Sequence, residues 1–250
     1  MLHVISYPKA GRTWLRVMLD DLGVGAVFGH DGSAFADRRA GGDLDPDKSK
    51  YSEAGVLLMV RDPRDAVVSS YFQATRREGI EAGSLSMFLR DDRYGISKIC
   101  RFNMQWFAAG HRMDRFAILS YEQMRASPAA TLRAVAGLAG MVVDERAAAA
   151  IASDRAFDRM RAAEASGELA ERYGEILRPA DANDSQSFKV RRGVVGGYLR
   201  YLSRADLCYC EQVLRSMQYR YGLVAAMARW NVERKGDAEP FQPDRNCRQV

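Results

Sequence analysis

Apolar residues open the chain as a short run, Leu2-His3-Val4-Ile5. They return after the stretch Ser6–Trp14 with helical spacing at Leu15, Met18, Leu19 and Leu22. The change of period predicts strand, tight turn, helix. Gly23 to Phe28 is short and weakly apolar and predicts a second strand. The unbroken run Gly55–Val60 predicts a strand buried on both faces. Asp62 as N-cap, Pro63 at N1 and Asp65 at N3 then start a helix running to about Arg77. Ser84–Arg90 and Gly95–Ala109 read as helices, the second with a core stripe that includes Ile96, Ile99, Cys100, Asn103, Trp106 and Phe107. Phe116–Ser120 predicts another buried strand, and Tyr121–Met124 a turn or short helix. Helices follow over Pro128–Ala139 and Asp144–Ala152, with a short helical piece from Phe157. Ser203-Arg204-Ala205-Asp206 is a capping box for a last helix ending near Gly222.

Between these elements lie three weakly patterned stretches. Asp37–Ser52 is polar and Gly-rich and reads as loop, in a position to cover a site. Ala162–Gln186 is polar with Gly167, Gly174 and Pro179, and is expected to be a flexible loop over about 162–187 on the acceptor side of a site. Ser187–Tyr198 mixes three cations with three glycines. After residue 228 the chain turns charged, with Pro240 and Pro243, and residues 229–250 are expected to form a mobile tail. Residues 1–228 are therefore read as a single domain.

The totals narrow the function more than the fold. With 250 residues and 47% hydrophobic positions the chain can bury a substantial core. A formal net charge of +5 suits an anionic ligand, and the absence of a block of consecutive basic residues argues against a nucleic-acid partner. Cys100, Cys208, Cys210 and Cys247 show no metal-type C-x-x-C pair, and His3, His30 and His111 are scattered, so no metal is expected. No secretory pattern precedes the first strand and no apolar run reaches membrane-spanning length. The expectation is a protein of the reduced cytoplasm, without stable membrane insertion.

The opening turn is where chemistry is most legible. Lys9, Gly11 and Thr13 fall at a helix start, where free backbone N–H groups and the helix dipole favour an anion. An ordinary strand–helix turn with a solvated lysine has the same pattern. Arg61 stands at a strand end and Ser69 two turns into the next helix; the pair could hold a second phosphate, or Arg61 could simply pair with Asp65. His30 follows a candidate strand, at the edge where open α/β sheets bind ligands, and imidazole suits proton transfer near neutral pH. The 187–198 stretch is either a solvated loop or a basic clamp on an anion.

Three separated pieces together resemble the sulfotransferase superfamily, whose members move a sulfonate group from 3′-phosphoadenosine 5′-phosphosulfate (PAPS) to an acceptor. Tyr7-Pro8-Lys9-Ala10-Gly11-Arg12-Thr13-Trp14 is similar to its 5′-phosphosulfate loop. Val60-Arg61-Asp62-Pro63 through Ser69-Ser70-Tyr71 is similar to its 3′-phosphate motif. Arg191-Arg192-Gly193-Val194-Val195-Gly196 is similar to its late basic loop. The resemblance spans about residues 2–222 and implies a P-loop-like three-layer α/β/α fold around a central parallel sheet. It also implies an enzyme whose product nucleotide is 3′-phosphoadenosine 5′-phosphate (PAP).

Position by position, the resemblance implies that Lys9 stabilises the leaving phosphate. Ala10, Gly11, Arg12 and Thr13 would cradle the 5′-phosphate, mainly through backbone N–H groups. Trp14, Tyr121 and Phe157 would contact the adenine end. Arg61 and Ser69 would hold the 3′-phosphate, with Arg191, Arg192 and Gly193 closing over it. His30 matches the general base, with Asp31 in a position to orient it. The chain departs from the family pattern at Phe28, where many members carry a sulfonate-contacting Lys. It departs again at Leu199, where a loop Lys often stands, and at Ala10, often Ser. The acceptor is expected to be a hydroxyl compound (a sugar, polyol, lipid-linked or natural product) lodged among the loops 28–52, 79–94 and 162–186. The turn alone also admits a P-loop small-molecule kinase or a non-catalytic nucleotide-binding module.

Overall fold

A computed structural model describes residues 1–222; the tail expected from residue 229 lies outside the described residues. Four strands, β1 (Leu2–Ser6), β2 (Ala26–Gly29), β3 (Gly55–Val60) and β4 (Phe116–Ser120), form one parallel sheet in the order β2-β1-β3-β4. The helices in chain order are α1 (Arg12–Asp21), α2 (Pro63–Arg76), α3 (Leu85–Arg90), α4 (Ile96–Gly110), α5 (Tyr121–Ala126), α6 (Pro128–Leu138), α7 (Glu145–Asp154), α8 (Phe157–Ser166), α9 (Ala170–Tyr173) and α10 (Arg204–Ser216).

Alternation along the strands produces the layers. On β3, Val56, Leu58 and Val60 enter one core with residues of α2, α4 and α10, whereas Leu57 and Met59 enter another with residues of α1, α5 and α6. β1 and β4 divide the same way, with Ile5 and Ile118 on the first face and Val4 and Leu119 on the second. A sheet buried on both sides makes the three-layer α/β/α arrangement expected from the sequence. Asp62 caps α2 by accepting from the Arg64 N–H at 2.9 Å, and Pro63 opens the helix, as the sequence anticipates.

Three segments differ from expectation. The stretch 162–187 carries helical elements where the pattern reads as loop. α8 continues to Ser166, and Met160, Ala163, Leu169 and Leu177 pack with Val17 of α1 into a third core. Its few apolar residues are too widely spaced for a helical period, which is why the pattern reads as loop. The 37–52 segment carries short 3-10 turns over Gly41–Asp43 and Ser49–Tyr51 and is fastened to the body. Lys48 and Lys50 pair with the Asp31 carboxylate at 2.7 and 2.8 Å, and the Tyr51 ring lies 5.1 Å from that of fully buried Trp106. The helix begun at the Ser203 capping box ends at Ser216 instead of near Gly222, because Gln218 adopts a positive φ of 52° and the Tyr219 hydroxyl turns back to accept from the Asn103 amide at 2.8 Å.

Two carboxylates fix the long stretch after residue 186. Glu164, fully buried, accepts from the Lys189 and Val190 N–H groups at 2.6 and 2.7 Å, with the Arg77 guanidinium 3.6 Å away. Asp65 accepts from Gly196 and Tyr198 N–H groups at 2.7 and 2.9 Å. Glu164→Ala is expected to cost about 3–5 kcal/mol, since it leaves two N–H groups without their acceptor and removes the carboxylate beside the Arg77 guanidinium. Urea unfolding measures the loss, and hydrogen exchange should show it concentrated at 187–193; stability unchanged within error would contradict the clamp.

Candidate active site

Because all four strands run the same way, their C-terminal ends meet at one edge. Lys9 follows β1, His30 follows β2, Arg61 follows β3 and Tyr121 follows β4. These residues line one cavity of about 340 Å³ together with Gly11, Arg12, Thr13, Trp14, Ser69, Phe157, Arg191, Arg192 and Gly193. Of the residues predicted from sequence only Ala10 does not line it: its methyl is buried among Val4, Leu15 and Tyr121 of the second core. Eight cationic side chains face the cavity against two carboxylates, Asp65 and Glu78.

The turn between β1 and α1 holds two residues in the left-handed region. Lys9 adopts a positive φ of 71°, uncommon for a residue with a β-carbon, and Gly11 follows at 92°. A β-carbon at Gly11 would stand 2.6 Å from the Tyr121 ring, so only glycine fits. Gly11 caps α1 without a side-chain bond, no acidic residue occupies the first turn, and the N–H groups of Arg12 and Thr13 have no acceptor within the helix. The Lys9 ammonium donates to the Gln73 amide oxygen at 3.2 Å and the Lys189 carbonyl at 3.4 Å. Burial, then the neighbouring Lys189 and Arg77 charges, hold its pKa well below that of an ordinary lysine.

Arg61 is held in three directions. Its guanidinium donates to the Lys9 and Val194 carbonyls at 3.3 and 3.2 Å and lies 4.4 Å from the Tyr121 ring centroid. The Asp65 carboxylate is 4.0 Å away, the limit of an ion pair, and is engaged with the loop N–H groups instead. Buried Ser69 lines the cavity from α2. Arg61 Nε and Arg191 Nε are both buried with no partner among the described residues. Arg191 lies 4.3 Å over Phe72 and donates to the Tyr201 hydroxyl at 2.9 Å. Gly193, at φ 62°, brings its backbone so close to Phe157 that a β-carbon would stand 2.2 Å from the ring. The Trp14 indole is anchored by donation to the Arg155 carbonyl at 2.6 Å and meets Tyr121 edge-on.

His30 is set by two partners that leave no freedom of tautomer. The Ser6 carbonyl, 2.8 Å from Nδ1, can only accept, so Nδ1 carries the proton. The Arg12 guanidinium, 2.7 Å from Nε2, can only donate, so Nε2 presents its lone pair. Burial, then the Arg12 charge, push the imidazole pKa down to about 3. Asp31 does not orient this ring: its carboxylate serves Lys48, Lys50 and the Tyr51 hydroxyl. The ring nitrogen it would need already belongs to Ser6.

Four features of the site escape the sequence reading. Lys189 lines the cavity and its charge is felt by both Lys9 and His30; burial and Arg77 push its own pKa down to about 8. It belongs to the basic stretch, but nothing in that pattern separates it from Arg191 and Arg192. Arg200 lines the cavity where Leu199 does not. Phe35, Met160 and Ile176 are among the apolar residues of the wall, while no residue of 79–94 contributes. Glu164, as the buried anchor of the basic loop, has no signature at all: it reads as one more polar position on a helix.

The chain matches the family described as "Sulfotransferase domain" over residues 43–222, more than half of its length. No curated protein matches the sequence at a significant level. Among solved structures it is similar to mouse sulfotransferase SULT7A1 complexed with PAP, at 16% identity and a TM-score of 0.66, covering 92% of this chain and 87% of that one. It is also similar to retinol dehydratase in complex with androsterone and inactive cofactor PAP, at 14% identity and a TM-score of 0.60, covering 87% and 80%. A second retinol dehydratase structure, with retinol and PAP, matches at 17% identity and a TM-score of 0.59, covering 87% and 81%. At these identities the likeness establishes the shared fold.

The environment of His30 has a consequence for stability. Its folded pKa of about 3 lies below the ordinary 6.5, so between those values the unfolded chain binds the proton and the folded chain does not. The contribution is fully present above 6.5 and is lost as pH falls toward 3. Denaturant unfolding of wild type and His30→Gln from about pH 7 to about pH 4 should show wild type losing more stability than the variant. Parallel curves would contradict the buried, neutral imidazole.

Proposed function

Because the chain belongs to the sulfotransferase domain family, we propose that its cavity takes PAPS and that the enzyme transfers the sulfonate group to an acceptor hydroxyl, releasing PAP. The observation that carries this reading is one cavity lined by two separate groups of anion-seeking donors, the α1 start with Lys9 and the pair Arg61 and Ser69, with neutral His30 on the same edge. A nucleotide phosphorylated at both 5′ and 3′ positions needs such a pair, whereas an ordinary adenine nucleotide leaves the second empty. The unpartnered Nε atoms of Arg61 and Arg191, and the lysine pKa values lowered by burial and then by neighbouring cations, support a cavity suited to a polyanion. The SULT7A1 and retinol dehydratase structures, which share the fold, contain PAP. The kinase alternative has no such support.

In this reading the N–H groups of Arg12 and Thr13 and the Thr13 hydroxyl bind the 5′-phosphate, with the Ala10 and Gly11 backbone completing the turn. Arg61 and Ser69 bind the 3′-phosphate, and Arg191, Arg192 and Gly193 cover it. Trp14, Tyr121 and Phe157 enclose the base. Transfer forms an oxygen–sulfur bond to the acceptor and breaks the bond between sulfur and the bridging oxygen of the phosphosulfate. His30 Nε2 takes the acceptor's proton while Nδ1–H keeps its bond to Ser6, which stabilises the imidazolium. Lys9 neutralises charge on the departing phosphate, and Lys189 adds a second cation to the same cavity. Sulfonate transfer, like phosphoryl transfer, needs chiefly in-line positioning and charge stabilisation, which these groups provide.

We read residues 1–228 as one catalytic domain and the setting as cytoplasmic, supported by the free buried thiols of Cys100 and Cys210. No helix among the described residues is long and apolar enough to cross a membrane.

Two measurements test the proposal. By calorimetry PAP should bind at least ~10-fold tighter than adenosine 5′-phosphate, the equivalent of about 1.4 kcal/mol, and Arg61→Ala should erase most of the difference. Equal affinities in wild type would overturn the assignment of the second anion site. With labelled PAPS and a panel of hydroxyl acceptors read by mass spectrometry, His30→Ala should lose ~10²-fold or more in turnover while PAP affinity stays close to wild type. Undiminished transfer by that variant would remove His30 as the base.

A further inference from the structure

The lone pair that His30 needs for catalysis is occupied in the free protein. Nε2 accepts from the Arg12 guanidinium at 2.7 Å, and the same guanidinium donates to the Gly29 carbonyl at the end of β2. Arg12 is the first residue of α1, so this cation is tethered at the helix start that forms one of the two groups of anion-seeking donors, and its side chain lines the cavity. Both of its partners are neutral acceptors. A phosphate or sulfonate oxygen at the start of α1 would offer the guanidinium a charge-assisted, bidentate partner, roughly twice as strong as a neutral one.

Nothing else near the ring competes for that role. The other charges felt by His30 are Arg16 on α1 and Lys189 on the basic loop, both donors, and Asp31 is turned to Lys48 and Lys50. On the other side of the ring, Ser6 holds the proton on Nδ1 whether or not Arg12 stays. Losing Arg12 would therefore free Nε2 without changing the tautomer.

We propose that Arg12 caps the catalytic base: its guanidinium holds the Nε2 lone pair of His30 until the phosphosulfate end of the donor draws it away, so that the acceptor can be deprotonated only after the donor has bound. The inference rests on the reading of the cavity as a PAPS site. Arg12 acts through His30 and is a positioning residue. It makes the enzyme's order of binding a property of one hydrogen bond: an acceptor hydroxyl arriving first meets a nitrogen already in use.

The test follows the three histidines by ¹⁵N-edited NMR of the full chain, with His30→Gln identifying the resonance of interest. Free wild type should show His30 as the Nδ1–H neutral form, unprotonated through mildly acid pH. Saturation with PAP, verified in parallel by calorimetry, should release Nε2 and move the titration up toward the ordinary imidazole value of about 6.5. Arg12→Ala, or Arg12→Gln should the first fail to fold, should shift it in the same direction with no nucleotide present. The folded variant should also lose donor-first order in initial-rate kinetics. If PAP binds and leaves the His30 signals unmoved, or if His30 titrates identically in the Arg12 variants and wild type, the cap is overturned. Failure of PAP to bind wild type would instead overturn the reading of the cavity and, with it, release by the donor.

Discussion

The site depends on one constraint, that four neighbouring strands run parallel and stop at the same edge. The register pairs Ile5 with Gly29, Ser6 with Met59 and Val60 with Ser120. Each strand therefore delivers its next residue or turn to a common rim: Lys9 in the turn after β1, His30, Arg61 and Tyr121. Side chains far apart in sequence meet because the backbone ladders leave them nowhere else to go. An antiparallel strand in this set would carry its residue to the opposite edge.

Gathering this much positive charge in one cavity is costly without an anion, and the arrangement of carboxylates shows how the fold manages it. Glu164 and Asp65 do not neutralise the cavity lysines and arginines. They accept from backbone N–H groups of the basic loop and so fix where its cations lie. Positive potential is left for a ligand while the loop keeps a defined path. Arg61 is stabilised by carbonyls and by the Tyr121 ring rather than by a full ion pair. Arg12 is stabilised by Gly29 and His30. In each case a neutral group holds the cation in place.

How much of this the sequence reveals follows the strength of the local pattern. The strands β1, β3 and β4 and the helices α2 and α4 are legible because their periods are long and their caps strong, as with Asp62 and Pro63. Lys9, Gly11, Arg61 and the Arg191–Gly193 loop, which line one cavity, stand out because they put cations and glycines at turns and element ends. The 162–187 segment misleads because its core, with Val17, is formed by residues with no regular spacing. Asp31 misleads for a related reason: adjacency to His30 in sequence suggests a partner, but at φ 46° the backbone turns its carboxylate toward Lys48 and Lys50. The Arg12–His30 bond joins two residues on different elements, and no pattern along the chain encodes which way a long cation points.

The most direct test of the account is a crystal structure of the protein with PAP. The 5′-phosphate should lie against the N–H groups of Arg12 and Thr13, and the 3′-phosphate within hydrogen-bond reach of Arg61 and Ser69, with the adenine between Trp14 and Phe157. A nucleotide bound in the reverse direction, or with its 3′-phosphate in solvent away from Arg61, would contradict the account.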